Sequence, residues 1–171
     1  MSRQTESSLA PPQGDQDFID NRLFRGLDPS LVGKLAAIPE TETFGSGDVI
    51  FEEGEAGADL YLLAMGSVRI SKRGAAGRQQ TLATLGAGDY FGEMALLDPA
   101  PRSARATALA PTRLGRLDAD GLREMLEADP LELARNLMVD AVQRLRDADA
   151  LLIGEIVRAE RLSLLGTMTA S

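Results

Sequence analysis

Two charged side chains mark the segment YFGEMALLDPAPRSARATA, Tyr90–Ala108. Glu93 directly follows Gly92, and Arg102 directly follows Pro101. The residues between them are mostly small or apolar: Met94, Ala95, Leu96, Leu97, Pro99 and Ala100. A charge among apolar neighbours is costly unless something pairs with it. Either the two charges pair with each other, or a polar ligand lies between them. A carboxylate only accepts hydrogen bonds, so Glu93 suits a hydroxyl donor. A guanidinium offers a forked donor, so Arg102 suits a phosphate or another anion. A helical turn begun by GEMALL would turn the free N–H groups of Met94 and Ala95 toward the same anion. Pro101 would fix the chain before Arg102, and the small Ser103 and Ala104 let backbone come close. The segment reads as a site for a small molecule with a negative end and a hydroxyl end.

Composition narrows the chemistry. The 171 residues suit one domain, or one domain with an appendage, and 44% hydrophobic residues suffice for a core. There is no His and no Cys. That excludes His-based triads, disulfides, thiolate chemistry and most zinc sites. No catalytic residue, metal site or cofactor is expected. The net charge of -8 repels phosphate backbones, so no direct contact with nucleic acid is expected. No apolar run of about 18 residues appears, and the N-terminus lacks a secretory apolar stretch. A cytoplasmic protein away from membranes is the expectation.

The elements that must position the two charges can be read along the chain. Residues 1–16 are polar, carry PPQG, and read as a disordered tail. In FIDNRLFRGLDPSLVGKLAAI, apolar residues recur at helical spacing; two short helices with a break near Gly26 are expected. Asp28-Pro29 reads as an N-cap and first helical residue. From about 39 to 117, short apolar runs alternate with glycines, the pattern of a sandwich, jelly roll or barrel. Val68 and Ile70 alternate with Ser67, Arg69 and Ser71, as in a half-buried strand. Asp98 and Arg105 read as solvated residues. After Leu117 the pattern returns to helix: ADGLREMLEA is one segment, and a long run follows. Asp129, Pro130 and Glu132 form the signature of a capping box. From Met138, residues 141, 145, 148, 152, 155, 159 and 162 recur in steps of three and four, with Val142 and Ile156 widening the stripe. This predicts a dimer seam, weakened by alanines and Glu155.

FGEMALLDPAPRSARATA resembles the phosphate-binding cassette of cyclic nucleotide-binding domains. GDVIFEEGEAGADLYLLAMGSVRI resembles the first barrel half of that family, and LFRGLDPSLVGKLAAI its N-terminal helical segment. The resemblance spans roughly Phe18 to Pro130. It implies a mainly β fold: a jelly-roll barrel with N-terminal helices and a long C-terminal helix. It implies that Glu93 binds the ribose 2′-hydroxyl and Arg102 the exocyclic oxygens of the cyclic phosphate. Ser103 would add a hydroxyl contact, and the backbone around Gly92, Met94, Ala95 and Ala104 would complete the cradle. Leu82 and Ala106 are loose matches to the base pocket; Gln143 and Arg144, on the C-terminal helix, are candidates for base contacts. In this family a threonine after the signature arginine favours guanine. Here the position holds Ser103, and cAMP is expected over cGMP.

The resemblance divides the chain into a tail over 1–16, a cyclic nucleotide-binding domain over 17–130 and a signalling and dimerisation helix over 131–171. The ending RAERLSLLGTMTAS is similar to the start of the dimerisation helix of sensor histidine kinases, where a Leu-Gly-x-Met-x-Ala-Ser run precedes the phosphoacceptor histidine. The expected function is therefore a homodimeric cyclic nucleotide sensor, not itself an enzyme, that signals through its last helix to an output such as a histidine kinase. Two alternatives keep the fold: an interaction module without ligand, and the regulatory half of a transcription factor, although no basic helix-turn-helix is legible. A cupin-like enzyme is disfavoured, because its metal is held chiefly by histidines.

Overall fold

The computed structural model describes residues 17–94 and 100–168, with side chains as far as Leu162. The expected tail, residues 95–99 (the end of the expected GEMALL turn, with Asp98 and Pro99) and the final residues 169–171 lie outside these. Asp28 accepts from the Ser30 N–H at 2.8 Å and Pro29 opens α1, Pro29–Leu35, as the Asp-Pro pair implies. Upstream, one of the two expected helices is only a 3-10 turn, Arg22–Phe24. Asn21 caps it, and Gly26 at φ +80° bends the chain away before a second turn can form.

Eight strands follow: β1 Glu40–Phe44, β2 Val49–Phe51, β3 Leu60–Met65, β4 Ser67–Arg73, β5 Gln79–Gly86, β6 Tyr90–Phe91, β7 Arg105–Ala108 and β8 Thr112–Leu117. They form two antiparallel four-stranded sheets, ordered β1-β8-β3-β6 and β2-β7-β4-β5. This is the jelly-roll architecture expected. The period-2 geometry of β3 builds both cores at once. Tyr61 and Leu63 pack between the sheets with Phe51, Val68, Phe91 and Leu114. Leu60 and Leu62 face the helices, against Phe18, Leu23, Leu35, Met125 and Leu133. In β4 the expected alternation breaks: the register shifts between Ile70 and Ser71, which turns Ser71 inward to full burial.

Two helices close the chain, α2 Ala119–Ala128 and α3 Pro130–Met168. The Asp129 carboxylate accepts from the Glu132 N–H at 3.2 Å. The reciprocal half of the expected capping box is missing, because the Glu132 side chain pairs with Arg135 instead. At 39 residues, α3 extends roughly 58 Å. Its first turns are seated by a polar stripe at i, i+4 and i+8. Asn136 Nδ2 donates to the Leu23 and Arg25 carbonyls at 2.8 and 2.7 Å, capping the 3-10 turn. Asp140 accepts from Arg22 at 2.9 Å, and Arg22 also holds Asp89 at 2.8 Å. Arg144 reaches Glu93.

That stripe fixes the rotation of the first turns of α3. Ala141 turns partly into the body, and Glu155 accepts from Gln80 Nε2 at 3.1 Å. Val142 and Ile156 are exposed, and so are Val139, Leu151, Ile153 and Val157. Residues 145–162 are all exposed, Leu145 at 64% and Leu152 at 57%. Among the described residues, no helix is long and apolar enough to cross a membrane.

The two cores meet at β8, where a Cβ on Gly115 would lie 2.7 Å from the Phe18 ring and 2.8 Å from Pro39 Cβ. Gly115→Ala is therefore expected to cost about 1–3 kcal/mol through overpacking. Urea denaturation of the two proteins reads the difference, and equal midpoints would contradict this packing.

Candidate functional site

Glu93 and Arg102 do not pair with each other. Both are buried, at 8% and 6% exposure, in the wall of one open cleft of about 160 Å³. The cleft is lined by Phe51, Ile70, Phe91, Gly92, Glu93, Met94, Ala100, Pro101, Arg102, Ser103, Ala104 and Arg144. It lies where β6 ends and the chain returns toward β7.

The loop between β2 and β3 holds Arg102 in place. The Arg102 N–H donates to the Glu55 carbonyl at 2.8 Å, and its carbonyl accepts from the Gly54 N–H at 2.8 Å. Its guanidinium lies over the Phe51 ring, 4.2 Å from the centroid. Nη1 donates to the Asp59 carbonyl at 2.9 Å and to the Gly92 carbonyl at 3.5 Å. Two glycines make room for it. A Cβ on Gly57 would meet Nη2 at 3.2 Å, and one on Gly92 would meet Nη1 at 3.0 Å and the Asp59 carbonyl at 2.7 Å. Gly92 also adopts φ +87°, a region that disfavours side chains.

The electrostatics of the cleft are lopsided. Among the described residues, Arg22, Arg105, Arg113, Arg116, Arg123, Arg135 and Arg144 each have a carboxylate partner. Arg102 has none; it is met only by carbonyl dipoles and an aromatic face. A buried guanidinium in that position favours an incoming anion. Glu93, in contrast, is already paired: Arg144 Nη1 reaches its Oε1 at 2.5 Å. Arg144 also donates to the Tyr90 carbonyl and lies over the Tyr90 ring, 5.1 Å from the centroid. Burial, with the nearby Asp140 carboxylate second, holds the Tyr90 hydroxyl well above its ordinary pKa. That tyrosine stays neutral beneath the site.

The structure brings Gly92, Glu93, Met94, Arg102, Ser103, Ala104 and Arg144 to the cleft. Ala95 lies outside the described residues. Leu82 and Gln143 are not brought there. Leu82 projects from β5 with 37% exposure, and Gln143 turns along α3 to donate to Asp147 at 3.0 Å. Ala106 is buried between the sheets. Arg144 arrives, but on the Glu93 carboxylate. Arg105, read as solvated, is half-buried and meets Glu52 at 3.3 Å. Sequence reasoning missed Phe51, Ile70 and Phe91 as lining residues. Nothing in VIF or RIS separates Phe51 and Ile70 from ordinary core, whereas Phe91 adjoins Gly92 and Glu93 in sequence; the closure of two sheets brings all three to the cleft.

A family profile described as "Cyclic nucleotide-binding domain" matches residues 41–129. The chain belongs to the cyclic nucleotide-binding domain family. The domain is 36% identical over 124 residues to a "CRP-like cAMP-activated global transcriptional regulator" of Mycobacterium tuberculosis, covering 72% of this chain and 55% of that protein. It is 39% identical over 127 residues to the "Cyclic AMP receptor protein" of Thermus thermophilus, covering 74% and 58%. The crystal structure of Thermus thermophilus catabolite activator protein superposes with a TM-score of 0.71 at 38% identity, over 77% of this chain and 62% of that one. The chain thus spans a little over half the length of these curated relatives.

The close approach of Gly92 to Asp59 and Arg102 makes it the most sensitive backbone position in the cleft. Gly92→Ala is expected to lower stability by about 1–3 kcal/mol and to displace the guanidinium. Urea denaturation reads the first, and the Arg102 Nε–H resonance the second. An unmoved resonance would contradict the packing described.

Proposed function

We propose that this cyclic nucleotide-binding domain is a sensor for cAMP that reports occupancy through α3. The single observation that carries the reading is Arg102: a buried cation without a carboxylate partner among the described residues, facing an open cleft. A cyclic phosphate supplies the missing charge. Ser103, exposed at the cleft, adds a hydroxyl to the same anion. Glu93 takes the ribose 2′-hydroxyl and shares its carboxylate with Arg144, so α3 meets the ligand through Glu93 rather than through the base. Phe51, Ile70 and Phe91 give the ligand apolar walls. The relatives named for cAMP support cAMP over cGMP as the ligand. The chain binds and signals, and catalysis is assigned to none of its residues.

Output follows from connectivity. The described barrel joins the C-terminal residues only through α2 and α3, so a signal leaving that way must move those helices or change their pairing. A ligand does this when it binds one arrangement better than another. The long exposed apolar face of α3 supports homodimerisation through this helix, since such a face needs a partner. RAERLSLLGTMTAS supports a histidine kinase as the output. A second reading, the regulatory part of a transcription regulator, is favoured by the named function of the Mycobacterium tuberculosis relative and the 55% of its length that is matched. The coding sequence after Ser171 separates them: a phosphoacceptor histidine supports the first, a helix-turn-helix the second.

Calorimetric titration of refolded, ligand-free protein tests the site. Tighter binding of cAMP than of cGMP is expected. Arg102→Ala is expected to weaken cAMP binding roughly tenfold to a few hundredfold, the loss of a charged, forked contact. Unchanged affinity with an intact circular dichroism spectrum would sink the assignment. Dimerisation is tested by light scattering on the Leu145→Glu, Leu152→Glu double variant. A shift to monomer is expected, and a variant that stays dimeric would remove α3 as the contact.

A further inference from the structure

Two buried polar atoms lie under the cleft without a hydrogen-bond partner among the described residues: the Tyr90 hydroxyl and Asp140 Oδ2. Tyr90 is 1% exposed and Asp140 5%. A buried polar group without a partner costs free energy, so native proteins almost always supply one. These two come from facing elements, β6 and α3, and their neighbours bring them close. Arg144, one turn along α3 from Asp140, donates to the Tyr90 carbonyl and lies over the Tyr90 ring, 5.1 Å from the centroid. Asp140 Oδ1 is taken by Arg22, whose other arm holds Asp89, the residue before Tyr90. Oδ2 is thus the acceptor left over. Burial first, then the charge and hydrogen bonding of Asp140, hold the phenol above its ordinary pKa, so it keeps a proton to donate.

We propose that the Tyr90 hydroxyl donates to Asp140 Oδ2, directly or through one buried water, and that this contact positions Glu93 for the ribose by seating the turn of α3 that carries Arg144. The inference rests on the reading of Glu93 as the partner of the ribose 2′-hydroxyl. Tyr90 precedes Glu93 by three residues and Asp140 precedes Arg144 by four, so the Tyr90–Asp140 and Glu93–Arg144 contacts join the same two segments side by side. Asn136 and Arg22 fix α3 against the N-terminal segment. The Tyr90 hydroxyl fixes it against the strand that leads into Glu93. Among the described residues Arg144 meets Glu93 Oε1, which leaves Oε2 to accept from a ligand. Without the hydroxyl, Arg144 loses its seat and the carboxylate loses its fixed direction. Arg102 is held separately, by the β2–β3 loop and the Asp59 and Gly92 carbonyls, so the phosphate end of the site does not depend on Tyr90.

Calorimetric titration of Tyr90→Phe with cAMP and with 2′-deoxy-cAMP tests this, since phenylalanine keeps the ring and its burial. Binding of cAMP is expected to weaken about three- to tenfold, the worth of one hydrogen bond, while 2′-deoxy-cAMP binds as it does to wild type. Tyr90→Phe added to Arg144→Gln is expected to weaken cAMP binding no further than Arg144→Gln alone, because both act through Glu93. Equal losses for the two nucleotides, no loss for either, or additive losses in the double variant would overturn the positioning role. A second measurement needs no ligand. The Arg144 Nε–H resonance of the ligand-free protein is expected to shift in Tyr90→Phe, and an unmoved resonance overturns the contact itself. If wild type binds neither nucleotide, or both alike, the ribose role of Glu93 falls and the positioning role with it, while the resonance still decides the Tyr90–Asp140 contact.

Discussion

A buried guanidinium that has only carbonyl oxygens and an aromatic ring for company is the constraint around which the rest of this domain is arranged. Arg102 needs the β2–β3 loop folded over it, and that loop needs the Arg102 backbone, since each supplies the other's hydrogen bond at Gly54 and Glu55. The loop can close only because Gly57 and Gly92 lack side chains where the guanidinium passes. The Asp59 and Gly92 carbonyls offset part of the charge, and the Phe51 face adds a cation–π contact. None of these replaces an anion. The guanidinium thus faces the cleft with its charge only partly offset.

The second organising contact is the polar stripe of α3. Asn136, Asp140 and Arg144 sit one helical turn apart and reach, in order, the 3-10 turn, Arg22 and Glu93. Buried polar contacts specify a single rotation better than apolar ones, since a rotated helix would leave each group unsatisfied. The same stripe therefore joins the cleft to the helix and decides which face of the helix stays in water. Arg22 extends it by bridging Asp89 and Asp140, so the N-terminal segment, the β5–β6 turn and α3 share one network.

Much of this was legible in the sequence, for identifiable reasons. Asp28-Pro29 marks a helix start because capping and a fixed φ are local chemistry. The glycine-punctuated runs between Pro39 and Leu117 mark short strands because turn residues and period-2 patterning are local too. Glu93 and Arg102 stood out because charges in an apolar segment demand a partner. Position alone misled at Leu82 and Gln143, because side chains 20 and 41 residues from Arg102 in sequence reach it only if the packing directs them there. The bulge at Ile70–Ser71 and the turning of Glu132 toward Arg135 were equally hidden, since each depends on which neighbour competes for the same group.

By itself the sequence determined the strand-rich core with helical flanks, the two charges of the cleft, the absence of histidine and cysteine chemistry, and a long amphipathic last helix. All of these follow from residue type and spacing along the chain. Only the tertiary structure decided that Glu93 and Arg102 stay apart, that Arg144 crosses 51 residues to claim Glu93, and that Phe51, Ile70 and Phe91 wall the cleft. It also decided that Ala141 turns partly inward while Val142 stays exposed. The reason is common to all of these: partners distant in sequence are chosen by the closing of two sheets and the seating of one helix, and residue spacing carries no record of that choice.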